Sequence, residues 1–431
     1  MAKTEAGKVR AYSKERAVIT VKYPGYSHIV FNRPHQLNTI SVQFSHDLFD
    51  NLKGCEKDED TKFIILRGEG RAFCAGGDIK DLVRVVNGDV EYKTALDRGV
   101  FVFHEAIYYM GCVMRTPIIS LMDGITFGGG IGFSQLSVFK IATENTKFAF
   151  PEAAIGHFCD ASSSFTIPRM EGHLGTYLGL TGHQFKAEDT IFAGLATHFM
   201  NSSNITALEK KLAELKSITL DTIYSTINEF SVGQDHVPSH YELFGEKLEI
   251  IESCFQFNSV ELIVEALERN GTQFAKSCLK SIAGNSPSSL KVNMDTIRRG
   301  ATKSMSECIS YEYRAWRTLP LSHDYKEGVQ SLLAKKKPQW APSKLEEISD
   351  EYVKSILLAK VKVNPYMDLS FDYNTSPHKK YNLPTREDVL SVTARHNLLT
   401  HTDIIAHFIK DNQGRFGVKQ KVNDILVRMD R

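Results

Sequence analysis

Residues 125–169 read ITFGGGIGFSQLSVFKIATENTKFAFPEAAIGHFCDASSSFTIPR, and the fold turns on how that run is parsed. A short strand-like stretch meets the triple glycine Gly128-Gly129-Gly130, a helical segment follows, and a further strand is expected over 139–143. Strand, glycine turn and helix in that order make one crossover of an α/β fold. Glycine lets backbone N–H groups approach a ligand closely, and a helix opening at Gly129 adds the positive end of its dipole to the same spot. Two carboxylates, Glu152 and Asp160, follow in the same window. Backbone donors beside carboxylates suit acyl chemistry, in which an oxyanion is held while a proton moves.

The same grammar recurs upstream. KFIILR (62–67) is a short apolar strand bounded by charge and glycine, and Cys74-Ala75-Gly76-Gly77-Asp78 then opens a helical segment. PIISLM (117–122) is the next buried strand. Ahead of both, AVITV and HIVF flank Pro24-Gly25 as a β-hairpin, and helical patterns occupy 41–57 and 92–114. The periodicity is mainly helical from 172 to 269 and again from 287 to 335. Lys335-Lys336-Lys337-Pro338 and Pro342 mark a break, after which one more helix reaches about residue 360. A tail over 361–431 carries Pro365, Pro377 and Pro384, then helices at 386–399, 402–410 and 418–429, with capping starts at Thr385 and Thr400.

Bulk properties narrow the classes. The 431 residues are 42% apolar and 24% charged, ordinary for a globular protein, and a net charge of +1 predicts neither nucleic-acid nor membrane attraction. Seven scattered cysteines without CxxC spacing argue for a reducing compartment, with no disulfide framework and no metal module. Apolar runs fall short of the ~20 residues of a membrane span, so no membrane insertion is expected. Residues 1–16 hold Lys3, Lys8, Arg10, Lys14 and Arg16 against Glu5 and Glu15, which reads as an N-terminal arm or a weak targeting segment.

Three segments, FNRPHQLNTI (31–40), ILRGEGRAFCAGGDIK (65–80) and DGITFGGGIGFS (123–134), resemble the crotonase superfamily of enoyl-CoA hydratases and isomerases. Within it, residues 151–182 and FAGLATHFM (192–200) are similar to the 3-hydroxyisobutyryl-CoA hydrolases, and SPSSLKV, YEYR, HDYKEGV and PQWAP extend the resemblance to about residue 355. The resemblance implies an α/β, crotonase-type ββα spiral core with C-terminal covering helices over 17–360, and it leaves 361–431 as an extra helical tail. It places oxyanion donors at the amides of Gly77 and Gly129, with Gly76 and Asp78 beside them on the substrate. A substrate-contacting glutamate of the family falls at His104 or, one position on, Glu105. Glu152 matches the retained catalytic glutamate, either activating water or attacking the thioester itself, and Asp160 matches the acid that marks the hydrolases. Gly132 stands where hydratases carry one of two catalytic glutamates, which argues against hydration.

The expected reaction is hydrolysis of a short β-hydroxyacyl-CoA thioester, 3-hydroxyisobutyryl-CoA of valine catabolism, in the mitochondrial matrix. The resemblance implies no metal or redox cofactor, coenzyme A being part of the substrate, and it carries the expectation of a homo-oligomer. There are departures. Ala161-Ser162-Ser163-Ser164 replaces a pair of glycines, Cys159 a proline and His157 an apolar residue. Side chains at Ser162 and Ser163 would either narrow the site or cap the next helix. Hydrolase-like proteins of this type are also components of the mitochondrial ribosomal small subunit, so a structural role against ribosomal proteins and rRNA is the competing expectation. The tail, with eleven Lys/Arg against eight Asp/Glu, either docks on such a partner or packs on its own domain.

Overall fold

Ten strands appear in the computed structural model, which describes residues 16–88, 91, 94, 96–359, 372–395 and 400–430. The expected arm over 1–15 and the boundary at 360 lie outside the described residues. In chain order the strands are β1 (Val18–Tyr23), β2 (Tyr26–Phe31), β3 (Ile64–Gly68), β4 (Ala72–Cys74), β5 (Ile118–Met122), β6 (Ile125–Phe127), β7 (Phe139–Ala142), β8 (Lys147–Ala149), β9 (Phe185–Lys186) and β10 (His198–Phe199). They form a six-stranded sheet, β1-β2-β3-β5-β7-β10, and a four-stranded sheet, β4-β6-β8-β9. The β1–β2 hairpin turns at Pro24-Gly25 and is antiparallel; from β2 onward the larger sheet is parallel. Every residue of β2, β5 and β7 is buried, and each is mostly apolar, with Ser27, His28, Ser120 and Lys140 the polar exceptions.

Three times a longer strand of the first sheet leads into a three-residue strand of the second: β3 into β4, β5 into β6, β7 into β8. The chain has to turn hard between them, and the corner residues show why. Gly124 has φ +117°, and a Cβ there would lie 2.4 Å from the carbonyl oxygen of Arg71. Rings of Phe31, Phe44, Phe73 and Phe133 pack together: the Phe31 centroid is 4.8 Å from that of Phe44, 5.1 Å from Phe73 and 5.6 Å from Phe133, and Phe44 is 5.9 Å from Phe133. The helix Val42–Lys57, capped by Ser41 Oγ on the Phe44 amide, closes that cluster from outside.

The hairpin, the 62–67, 117–122 and 139–143 strands and the 41–57 helix fall within two residues of expectation, and the described part of 92–114 is helical over 96–113. The second sheet is not anticipated by periodicity, and β9 and β10 interrupt the stretch read as helical. Helices Pro287–Gly300, Met305–Thr318 and His323–Ala334 then cover the C-terminal ends of β4, β6 and β8. The tail helices Arg386–Arg395, His401–Asp411 and Val418–Met429 fold back: Val389, Ile404, Phe408, Val422 and Leu426 are buried in one core with Tyr177, Phe192 and Ile251. Between them Arg415 is buried, donating to the carbonyls of Thr197, Tyr381 and Asn382, and Lys421 pairs with Glu171. The described tail packs on its own domain.

Candidate active site

The parallel strands β4, β6 and β8 end side by side, and each end runs into a candidate residue: β4 into Gly76 and Gly77, β6 into Gly128 and Gly129, β8 into Pro151 and Glu152. Ligands of open parallel sheets gather at such ends. A cavity of about 420 Å³ opens there, with Gly76, Gly77, Asp78, Gly129, Glu152 and Asp160 all on its wall. Six expected residues are therefore brought together.

The two glycine turns touch through their backbones. A Cβ at Gly128 would lie 3.7 Å from Gly76 Cα and 2.9 Å from Glu152 Oε1, and Gly128 itself takes φ +50°, ψ −125°, outside the range of residues with a side chain. Gly77 forms a single parallel bridge with Ile40. In that bridge the Ile40 amide donates to the carbonyl of Gly76 and the Asp78 amide donates to that of Ile40, which leaves the amide of Gly77 itself outside the pattern. Gly129 is the first residue of the helix Gly129–Gln135, so its amide is one of the helix's unbonded N-terminal donors. Among the described residues neither amide has a scaffold partner, and both glycines lie on the cavity wall.

Glu152 begins a single 3-10 turn, Glu152–Ile155, held by the covering helices: the Ser286 amide donates to Ala153 O at 3.0 Å, and Gly156 packs so near Asp324 that a Cβ would meet its carbonyl oxygen at 2.2 Å. The residue is 5% exposed. Its Oε2 accepts from Cys159 Sγ at 3.6 Å, and Oε1 has no hydrogen-bond partner among the described residues. Burial, with the nearby charge of Asp160 next, pushes the Glu152 pKa up to about 8. Asp160 behaves oppositely. Burial works to raise its pKa, but the His157 ring 3.7 Å from Oδ2, the Trp316 indole N–H donated to that oxygen, and His104 together hold it below its ordinary value.

Several expectations are corrected. His104 and Glu105 are not on the cavity wall. On the helix Phe101–Tyr108 it is Phe103 that faces it, and the ~100° turn per residue carries the next two side chains away. His104 is buried edge-on to Phe103 and Tyr313 with Nδ1 2.8 Å from Val100 O, and burial lowers its pKa. Asp78 reaches the wall, but Oδ2 pairs with Arg33 at 2.7 Å and takes Thr39 Oγ1, while Oδ1 takes the Lys80 amide. Its carboxylate holds the glycine turn in place. The serines do not narrow the cavity, since Ser162, Ser163 and Ser164 are buried behind Asp160 and absent from the wall. The helix that follows, Ser163–Thr166, has no side-chain cap of its own. Its N-terminal end is served from outside by Glu312, which is fully buried and accepts the amides of Ser162 at 2.8 Å and Ser164 at 2.9 Å. Burial and then Asp160 push Glu312 up to about 8, against the pull of those donors. Gly132 is fixed by packing: a Cβ there would lie 2.0 Å from Ala161 O, leaving no room for a second glutamate.

Sequence reading passed over Glu312 and Trp316. The signal was present, because Met305, Cys308, Ile309, Glu312 and Ala315 recur at helical spacing and put an acid on an apolar face. One group elsewhere, Asp189, His240 and Glu242, has ligand atoms near enough to share an ion. Yet His240 Nδ1 faces Asp189 at 2.5 Å and Nε2 faces Glu242 at 3.2 Å, so the ring bridges two acids from opposite edges and these contacts account for the cluster.

A repeated strand–strand–helix unit, two sheets, and paired glycine turns over a buried glutamate define a protein of the crotonase fold. The sequence model of the enoyl-CoA hydratase/isomerase family matches residues 26–357, and the chain belongs to that family. Rat mitochondrial 3-hydroxyisobutyryl-CoA hydrolase is 37% identical over 330 residues, 76% of this chain and 85% of that protein. Small ribosomal subunit protein mS47 of Neurospora crassa is 33% identical over 430 residues, 93% of this chain and 83% of that one. Among solved structures, a carnitinyl-CoA dehydratase from Mycobacterium thermoresistibile superposes with a TM-score of 0.72 at 27% identity, over 80% of this chain and 97% of its own.

Proposed function

We propose that the protein hydrolyses a short β-hydroxyacyl-CoA thioester, 3-hydroxyisobutyryl-CoA by likeness to the hydrolases, in the mitochondrial matrix. The amides of Gly77 and Gly129 hold the thioester oxygen as it gains charge, each such donor contributing about 3 kcal/mol in enzymes of this design. Glu152, when ionised, either draws a proton from water or adds to the carbonyl itself. Asp160, kept ionised, binds the substrate hydroxyl or places the water. Gly76 lines the same pocket with backbone only. The observation that carries the reading is the buried carboxyl of Glu152 at the wall of the cavity that Gly77 and Gly129 also line, its Oε1 close to Gly128 and without a hydrogen-bond partner among the described residues.

Release of free thiol from 3-hydroxyisobutyryl-CoA tests it. Wild type should turn over, and Glu152→Gln should lose about 10²–10⁴ in kcat, the usual yield of a positioned acid–base group. Equal rates for the two would sink the assignment.

A second reading has its own support. The match to the Neurospora mS47 protein leaves out a smaller share of the chain than the tail occupies, so it runs into 361–431; the family model stops at residue 357. We therefore also propose that the chain is a component of the mitochondrial ribosomal small subunit. Co-sedimentation of the full-length chain with those subunits at moderate salt is the expected result, and a chain that stays free in the gradient would remove this role.

A further inference from the structure

Ala161 and Ser162 adopt φ of +55° and +70° in succession. Side chains disfavour that left-handed region, and a pair of such residues persists only where the surroundings over-determine it. Three contacts do so. Gly132 presses on Ala161, Gly300 packs so closely on the far side that a Cβ would lie 1.8 Å from Ser164 O, and Glu312 sits beneath. Besides the two amides, Glu312 accepts Ser164 Oγ at 2.5 Å. Successive amides around a left-handed turn form a concave anion nest, and this carboxyl fills it. Asp160 is the residue just before the turn. Its Oδ2 takes the indole N–H of Trp316, one helical turn beyond Glu312 on Met305–Thr318.

We infer that Glu312 is a positioning residue: by filling the nest at Ser162–Ser164 it fixes the left-handed turn and, through it, sets Asp160 against the cavity wall and Trp316. The consequence for rate rests on the proposed hydrolysis; the placement of Asp160 does not.

The chain has two tryptophans, Trp316 and Trp340, so ¹⁵N-tryptophan labelling of full-length Trp340→Phe protein gives one indole N–H resonance, that of Trp316. Asp160→Asn in this background marks where that resonance goes when the carboxylate acceptor is lost. Glu312→Gln, which swaps one acceptor oxygen for a donor facing the amides, should carry the resonance more than half of that way. Adding Ser162→Gly should return it, because glycine holds the left-handed turn unaided. A resonance that stays in place while the unfolding temperature falls would overturn the inference and leave Glu312 a fold support; so would failure of Ser162→Gly to restore it. Should Glu312→Gln not fold, Ser164→Ala, which removes a single bond to the carboxyl, is read instead: a smaller displacement in the same direction is expected, and none would overturn the proposal. With substrate, Glu312→Gln should lower kcat about tenfold and leave KM within twofold. A wild type without turnover would sink the hydrolysis while the resonance still judges Glu312.

Discussion

Glu152 and Asp160 stand close enough to feel each other and are driven apart in acidity, one up to about 8 and the other below its ordinary value. Such a split assigns roles: the acid kept ionised orients or stabilises, and the one poised near neutrality moves protons. Glu152 works as base or nucleophile only when ionised, so kcat/KM should climb from pH 6 and level off above about pH 8. A profile flat across that range would take Glu152 out of the chemistry. Cys159 Sγ donates to the ionised form and so lowers this pKa; Cys159→Ala should move the rise to higher pH. Stability runs the other way. An acid with a raised folded-state pKa favours the folded state fully below its ordinary value of 4.5, and that contribution is lost as pH rises through about 8. Urea midpoints should therefore fall from pH 5 to 9, and Glu152→Gln should fall less steeply.

At the scale of elements, what could be read in the sequence depended on length. β3, β5 and β7 are runs of four or five residues, visible because a parallel strand covered on both faces is mostly apolar, as in Ile64-Ile65-Leu66 and Ile118-Ile119. β4, β6 and β8 have three residues each, too few to show any period, so the sheet that carries the site was invisible while its glycine corners were plain. The positions proposed for catalysis are marked in the sequence by those corners, and the fold brings them to one cavity wall. The serine run was not, because its effect depends on which way the turn faces, and Glu312 decides that from 150 positions away. Packing also settles Gly132. Adding a Cβ drives it into Ala161 O at 2.0 Å, so Gly132→Ala should cost about 1–3 kcal/mol, the range for overpacking, and Gly132→Glu should lower the unfolding temperature further without gaining hydratase activity. Crotonyl-CoA hydration by Gly132→Glu at ordinary enzyme rates would show that the missing side chain, and not the packing, is what the branch lacks.

Among the described residues the pocket and the tail share no wall. The cavity is bounded by residues from Ile40 to Leu332, whereas the described tail touches Phe192, Thr197, Phe199, His236 and Gly245 and, through Asp372 and Tyr373, the start of the helix Met305–Thr318 and Phe165. One joint between tail and body is the buried guanidinium of Arg415, whose pKa burial lowers and whose N–H groups satisfy the carbonyl of Thr197 in the body and those of Tyr381 and Asn382 in the tail. Each buried carbonyl left without a donor costs about 1–3 kcal/mol, and the cavity left by the side chain adds to that. Arg415→Ala should thus lower the unfolding temperature by several degrees and let protease cut ahead of residue 400, while kcat/KM at 20 °C stays within about twofold of wild type. If hydrolysis fell in step with the loss of stability, the tail would be acting on the pocket through the body. If instead ribosomal co-sedimentation were lost and hydrolysis kept, the two proposed roles would sit on separate faces of one fold.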